Sequence, residues 1–237
     1  MKVDRPQTIV SHLEELRWRV LKGGVAVILG GIIALVFADS LRSILESPFY
    51  RADPDASLQT FAPAEQWGVL MRIAMFGGLV LASPVVIFQL WAFINPALTN
   101  RERNWAIPIV GALVVLFLGG VLLGYQVLPL GLSFLLGIFP DVENNLRMSE
   151  YYSFTLRFLF AFGIAFLYPV FLFVAAAAGL ISSERLAKGR RWAVLLVVVA
   201  AALITPTGDA FNLLVLSAPL YLMYEIVYWL VRLVLKK

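Results

Sequence analysis

Long apolar runs, separated by short polar or proline-bearing segments, predict a chain of membrane-crossing helices. A polar, basic lead-in from Met1 to Lys22 overlaps an apolar run from Val20 to Ala38, long enough to span at about 1.5 Å per residue. Asp39 to Pro63 carries Pro48, Pro54 and Pro63 with four carboxylates, while Leu41, Ile44, Leu45 and Phe49 are suited to an interface. That segment reads as a structured outer loop. The second helix, Glu65 to Ile94, would be about 45 Å long, so it must tilt, bend or protrude, and Pro84 marks the bend. After a short loop, Asn95 to Asn104, the third helix runs from Trp105 to Leu128 and contains the close-packing pair Gly120 and Gly124. A moderately polar loop, Pro129 to Glu150, leads to the fourth helix, Tyr151 to Leu180, with Pro169 inside it. Beyond the basic loop Ser182 to Arg191, Trp192 to Ile204 offers 13 apolar residues, about 20 Å against a hydrocarbon core of about 30 Å. Thr205-Pro206-Thr207-Gly208-Asp209 is a turn signal, and a sixth helix returns from Phe211 to Val231. Such a shallow hairpin either thins the bilayer or is sheltered by partner helices.

Composition agrees. Of 237 residues 61% are apolar and 14% charged, against roughly 45–50% and about 25% in soluble domains. The fold expected is an all-α integral membrane domain of six helices spanning residues 1–237. The net charge of +4 does not point to nucleic acid, because the basic residues are scattered and form no stripe or arm. They act as topology markers. Fourteen Lys and Arg fall on the side of the termini, the Glu102 loop and the Lys188 loop, and five on the other. By the positive-inside rule both termini are expected in the cytoplasm.

Enzyme chemistry finds no footing in this sequence. His12 is the only histidine and there is no cysteine, which removes thiolate sites, multi-histidine zinc sites and most histidine-based triads. GxSxG, Walker A and dinucleotide fingerprints are absent. The helix middles carry almost no ionisable group, which also argues against a secondary transporter. A small-solute transporter or channel is the alternative reading.

The ionisable residues that remain are few. Ser11 and Glu14 fit a capping box, Glu15 and Arg19 an i,i+4 pair, and Thr99 with Glu102 a second capping box after the turn Asn95-Pro96. Equally, Glu15 and Glu102 on one cytoplasmic face would make two acceptors for a cationic ligand, and carboxylates suit the guanidinium fork best. His12 reads as a hydrogen-bonding residue at a helix start. Arg17 and Arg19 read as interface anchors whose charge would repel a basic ligand, and Tyr125 as an interface-belt residue. Glu225, inside the sixth helix, must snorkel or bond to a neighbour.

His12-Leu13-Glu14-Glu15-Leu16-Arg17 is one of several ordered motifs. Ser83-Pro84-Val85, Gln89-Leu90-Trp91-Ala92-Phe93-Ile94-Asn95-Pro96-Ala97-Leu98 and Glu102 follow. Phe162-Gly163-Ile164-Ala165-Phe166, Pro169-Val170, Thr205-Pro206, Asp209 and Tyr224-Glu225-Ile226 complete the series. In order, spacing and six-helix setting, they resemble the TatC family, the multispanning receptor subunits of the twin-arginine protein translocase. The resemblance implies a concave, glove-like bundle in the cytoplasmic (inner) membrane that binds signal peptides bearing paired arginines. It implies that Glu15 and Glu102 lie at the peptide site, with Leu13, Arg17, Arg19 and Phe93 nearby. Pro48, Tyr125 and Asp209 match family features on or near the outer side. Single-spanning TatA and TatB partners, a homo- or hetero-oligomer, and transport of folded cargo driven by the proton motive force are further implications. No nucleotide, metal or other cofactor is expected.

Two positions depart from the family pattern. Leu167 stands where the family commonly has a glutamate before the proline of helix four, and Leu213 where it often has glutamine early in helix six. Both remove a polar group from the membrane-embedded half, and neither touches the proposed arginine site.

Overall fold

The computed structural model describes residues 9–94, 106–139, 143–204 and 210–235. Its helices are α1 (Ile9–Val36), α2 (Ala38–Ala52), α3 (Pro63–Ile94), α4 (Ala106–Leu136), α5 (Met148–Ala165), α6 (Tyr168–Ala177), α7 (Ser183–Ile204) and α8 (Ala210–Leu230), the last followed by a π-helical turn, Val231–Leu235. Two three-residue strands, β1 (Ser57–Gln59) and β2 (Asn145–Arg147), pair in parallel with Leu58 opposite Leu146. The stretches His12–Val36, Pro63–Phe93, Ile107–Leu136, Met148–Ala177 and Leu213–Leu233 are each long and apolar enough to cross a membrane. Helix α7 falls short because its first nine residues carry Glu184, Arg185, Lys188, Arg190 and Arg191.

The contacts divide the chain into two compact units, Met1–Leu41 with Ile73–Val114, and Arg42–Arg72 with Val115–Lys237. In the first unit α1 and α3 touch at backbone distance. A Cβ on Gly30 would lie 2.7 Å from the Gly78 carbonyl oxygen, and one on Gly78 would lie 2.6 Å from that of Val27. Small residues let two helices approach this closely where hydrocarbon supplies no hydrophobic drive. Further along α3, Pro84 has no N–H to give the Val80 carbonyl four residues back. The Ser83 hydroxyl donates to it instead at 2.7 Å, so the proline leaves no unpaired acceptor in an apolar setting.

In the second unit, Gly120 and Gly124 pack as expected. A Cβ at either would lie within 3.0 Å of Phe162 on α5, and Gly163 returns the contact against Phe117. The core gathers around Phe49, Leu128, Tyr151, Tyr152 and Phe162, all buried.

Several predicted boundaries move. Helix α1 takes in the polar lead-in from Ile9, because its residues are good helix formers and Glu15 pairs with Arg19 one turn on. Ser11 is therefore inside the helix and is not an N-cap. Most of the expected outer loop is helix α2, with Pro48 within it. Helix α4 runs through Pro129 to Leu136, since apolar residues continue and the backbone must satisfy itself. The expected fourth helix is two helices, broken at Phe166-Leu167, with Pro169 in the first turn of α6, where a missing N–H costs nothing. It also ends at Ala177 and not at Leu180. Gly179, at φ 81°, turns the chain there, with Leu180 N–H donating to Ala175 and Gly179 N–H to Ala176. Helix α7 begins at Ser183, so the basic segment is helical and only its apolar part is short.

Candidate functional site

Four of the predicted peptide-side residues sit on the second and third turns of α1, and Phe93 lies at the end of α3. One helical turn separates Glu15 from Arg19, and Arg19 donates to Glu15 Oε1 through Nε, at 2.9 Å, and through Nη2. Both side chains are about three-quarters covered. The second carboxylate oxygen, Oε2, is 4.0 Å from His12 Nδ1. His12 in turn stacks on Phe93, with ring centres 4.4 Å apart and planes 18° from parallel. His12, Glu15, Arg19 and Phe93 thus form one continuous set of contacts. Leu13 and Arg17 are exposed beside it and take no part in it.

Sequence reasoning gave His12 no place in the site. The signal was its i,i+3 spacing to Glu15, which puts both on one face of α1. Glu102, the second proposed acceptor, and Thr99 lie outside the described residues, as does Asp209.

Chemically, a carboxylate binds a guanidinium best through both oxygens. Arg19 holds only Oε1, so Oε2 is open to a second cationic donor, beside the flat wall of His12 and Phe93.

Pro48 and Tyr125, expected on the outer side, have a separate structural logic. Pro48 removes the N–H that would reach the Ile44 carbonyl, and the Tyr125 hydroxyl donates to that carbonyl at 2.9 Å. Arg51 Nη2 donates to the same hydroxyl at 3.1 Å, with its guanidinium 5.4 Å from the ring centre. Two more tyrosines fasten α2. Tyr151 donates to the Leu45 carbonyl at 2.5 Å, and Tyr152 to Glu46 Oε1 at 2.9 Å.

Nearby, Glu65 ties the strand-bearing loops together. Its buried carboxylate accepts from Arg147 Nε at 3.1 Å, from Ser149 N–H at 2.9 Å and from Phe61 N–H at 3.2 Å. Sequence reasoning placed Glu65 only as a helix start, because two of its three partners, Arg147 and Ser149, are more than 80 residues away.

Glu225 has neighbours on α7 and α8. Its Oε2 accepts from Arg190 Nη2 at 2.8 Å and its Oε1 from the Tyr221 hydroxyl at 2.8 Å. The Arg190 guanidinium lies 4.5 Å from the centre of the Tyr228 ring. Arg190 had been counted only as a topology marker, yet a carboxylate within an apolar helix calls for such a partner. Among the described residues, no three of His, Cys, Asp and Glu stand together to hold a metal ion.

Residues 11–219 match the family described as Sec-independent protein translocase protein (TatC). A relative of that name from Aquifex aeolicus is 37% identical over 97% of this chain and 96% of its own length. Another, from Carboxydothermus hydrogenoformans, is 31% identical over 99% and 96%. A crystal structure described as the twin arginine translocase receptor TatC superposes with a TM-score of 0.78 at 38% identity, covering 94% of this chain and 98% of its own. A second structure of that receptor, in DDM, gives 0.80 over 94% and 100%.

Proposed function

This chain belongs to the TatC family of Sec-independent protein translocase proteins, and from that premise we propose that Glu15 and Glu102 are the acceptors for the paired arginines of a signal peptide. The chain is a multi-pass membrane protein and the receptor subunit of the twin-arginine translocase; the transporter or channel alternative has no support. The observation that carries the receptor function is the likeness to the receptor structures over nearly the whole chain. The observation that favours Glu15 is its half-engaged carboxylate beside His12 and Phe93.

In this reading the peptide arginine takes the open side of Glu15, Glu102 takes the other arginine, and Leu13, exposed next to them, offers apolar contact to the following residues. Arg17 and Arg19 border the site. Both termini and the segments around Glu102 and Lys188 face the cytoplasm, α7 is the fifth of six spans and the shortest, and single-spanning TatA and TatB type subunits pack against the lipid-facing helices. Export of folded cargo through that assembly draws on the proton motive force.

A direct test of the receptor reading immobilises the solubilised chain and compares retention of an Arg-Arg signal peptide with its Lys-Lys version. The geometry argues for stronger retention of Arg-Arg, because an ammonium is a point charge and cannot bridge a carboxylate in a planar fork. Equal retention would overturn it. Orientation is tested separately. The chain has no cysteine, so a cysteine at Ser183 reports its side unambiguously; labelling from the outside alone would reverse the topology.

A further inference from the structure

Arg157 stands on α5 about 14 Å along the helix from Met148, inside a stretch apolar enough to cross a membrane. Its side chain is exposed, and Phe160 and Ile164, three and seven positions on, are the exposed residues that continue its face. Among the described residues it makes no hydrogen bond and no ion pair. An arginine set among apolar, lipid-facing residues calls for an anion.

A second arginine is fixed beside it. Arg72, exposed on α3, donates through Nη1 to the Ser149 carbonyl at 3.0 Å and to the Ser153 hydroxyl at 2.6 Å. These bonds lay its guanidinium against the first two turns of α5 and leave Nε and Nη2 without an acceptor among the described residues. Ser153 lies one turn, about 6 Å, before Arg157 on the same ridge of the helix. Helical side chains lean back toward the helix N-terminus, so Arg157 reaches toward the turn that Arg72 occupies. The acidic residues on these two faces do not neutralise the pair. Glu150 forms an ion pair with neither arginine, and the Glu65 carboxylate is held by Arg147.

Depth in the membrane selects the anion. Trp67, exposed on α3 about 7.5 Å before Arg72, takes the headgroup level that tryptophan favours, while Met75, Phe160 and Ile164 are the exposed apolar residues beyond the two arginines. The pair therefore lies at the boundary between headgroups and hydrocarbon. Lipid phosphates already reside there, whereas a carboxylate on a neighbouring helix would have to be desolvated to reach it. We propose that Arg72 and Arg157 together hold the phosphate of an anionic glycerophospholipid, on the side of the membrane where β1 and β2 lie. The two unesterified phosphate oxygens suit two guanidinium forks. A zwitterionic lipid is the poorer ligand, because its ammonium group stays next to two cations.

The test places the full chain in phosphatidylcholine nanodiscs with a subsaturating fraction of phosphatidylglycerol or phosphatidylcholine that carries a photoactivatable group near the phosphate, and maps adducts by peptide mass spectrometry. Adducts are expected on the segments around Arg72 and Ser153, and more from phosphatidylglycerol. Arg157→Gln should cut that labelling about fivefold, and Arg72→Gln with Arg157→Gln about twenty-fivefold, while phosphatidylcholine labelling stays constant. Because Arg157 bonds to no described residue, Arg157→Gln should leave the unfolding midpoint in lipid-free detergent unchanged, which separates loss of the site from loss of the fold. A lowered midpoint would mean that Arg157 is bonded within the chain and would overturn the proposal. Equal labelling by the two lipids, or labelling indifferent to Arg157→Gln, would overturn it too. So would loss of the adducts on adding a single-spanning partner, which would give the pair to a carboxylate of that partner.

Discussion

The Tyr125 hydroxyl donates at 2.9 Å to the Ile44 carbonyl, the acceptor that Pro48, four residues on, leaves without a helical donor. A side chain from α4 thus supplies what a proline in α2 withholds, and this links two family positions that are 77 residues apart. Helix α3 solves the same problem locally, where Ser83 serves the carbonyl that Pro84 strands.

Tyr125→Phe should accordingly lower stability by about 1 kcal/mol, the worth of one hydrogen bond. Pro48→Ala restores an N–H that can reach Ile44. In that background Tyr125→Phe should cost less, a coupling that a double-mutant cycle on thermal unfolding in detergent resolves. Strict additivity would separate the two residues.

Glu65 is the hub of the strand-bearing loops, with three donors from two segments converging on its carboxylate. Glu65→Gln keeps the shape but turns an acceptor oxygen into a donor facing donors. The expected result is a lower unfolding midpoint together with faster protease cleavage between β1 and α3 or just before α5. An unchanged cleavage pattern would mean that the strand pairing holds without it.

Arg19 occupies one oxygen of the proposed acceptor Glu15. If it competes with the peptide, Arg19→Gln should raise affinity for an Arg-Arg peptide about twofold, the scale of a partly exposed i,i+4 pair. A drop in affinity would instead make Arg19 a direct peptide contact.

The short apolar part of α7 cannot cross about 30 Å of hydrocarbon comfortably, and we propose its exposed Val194, Leu195 and Val198 as a surface for a partner helix. Photo-crosslinkers at Val194 and Val198 should capture a single-spanning subunit in membranes. Lipid adducts alone, with the partner present and transport active, would count against that role.

Much of this was legible in the sequence because hydropathy and helical period are local properties. The long spans, the Gly120 and Gly124 contact, and the Glu15 to Arg19 pair all follow from residues within a few turns of one another. What escaped was decided at a distance or by competition. Tyr125 reads as a belt aromatic until α2 is known to lack a donor at Pro48. Glu65 and Arg147 are 82 residues apart, and Arg190 meets Glu225 only when α7 packs on α8. Pro129 and Pro169 misled in opposite directions. Continued apolar sequence carried α4 through the first, while the second took the tolerated first turn of a new helix and left the break at Leu167. His12 escaped because its stacking partner, Phe93, comes from another helix.

The central claim is that Glu15 and Glu102 hold the two arginines of the signal peptide, and equilibrium binding of an Arg-Arg peptide to folded Glu15→Gln, Glu102→Gln and Glu14→Gln variants tests it most directly. A charge-assisted contact contributes about 1.5–3 kcal/mol, so each of the first two changes should weaken binding roughly tenfold to a hundredfold. Glu14, exposed on α1 and outside the set of contacts around Glu15, serves as the control and should bind as the unmodified chain does. Raised salt should weaken the unmodified chain in the same direction as the substitutions. Equal affinity for all three folded variants would contradict the assignment.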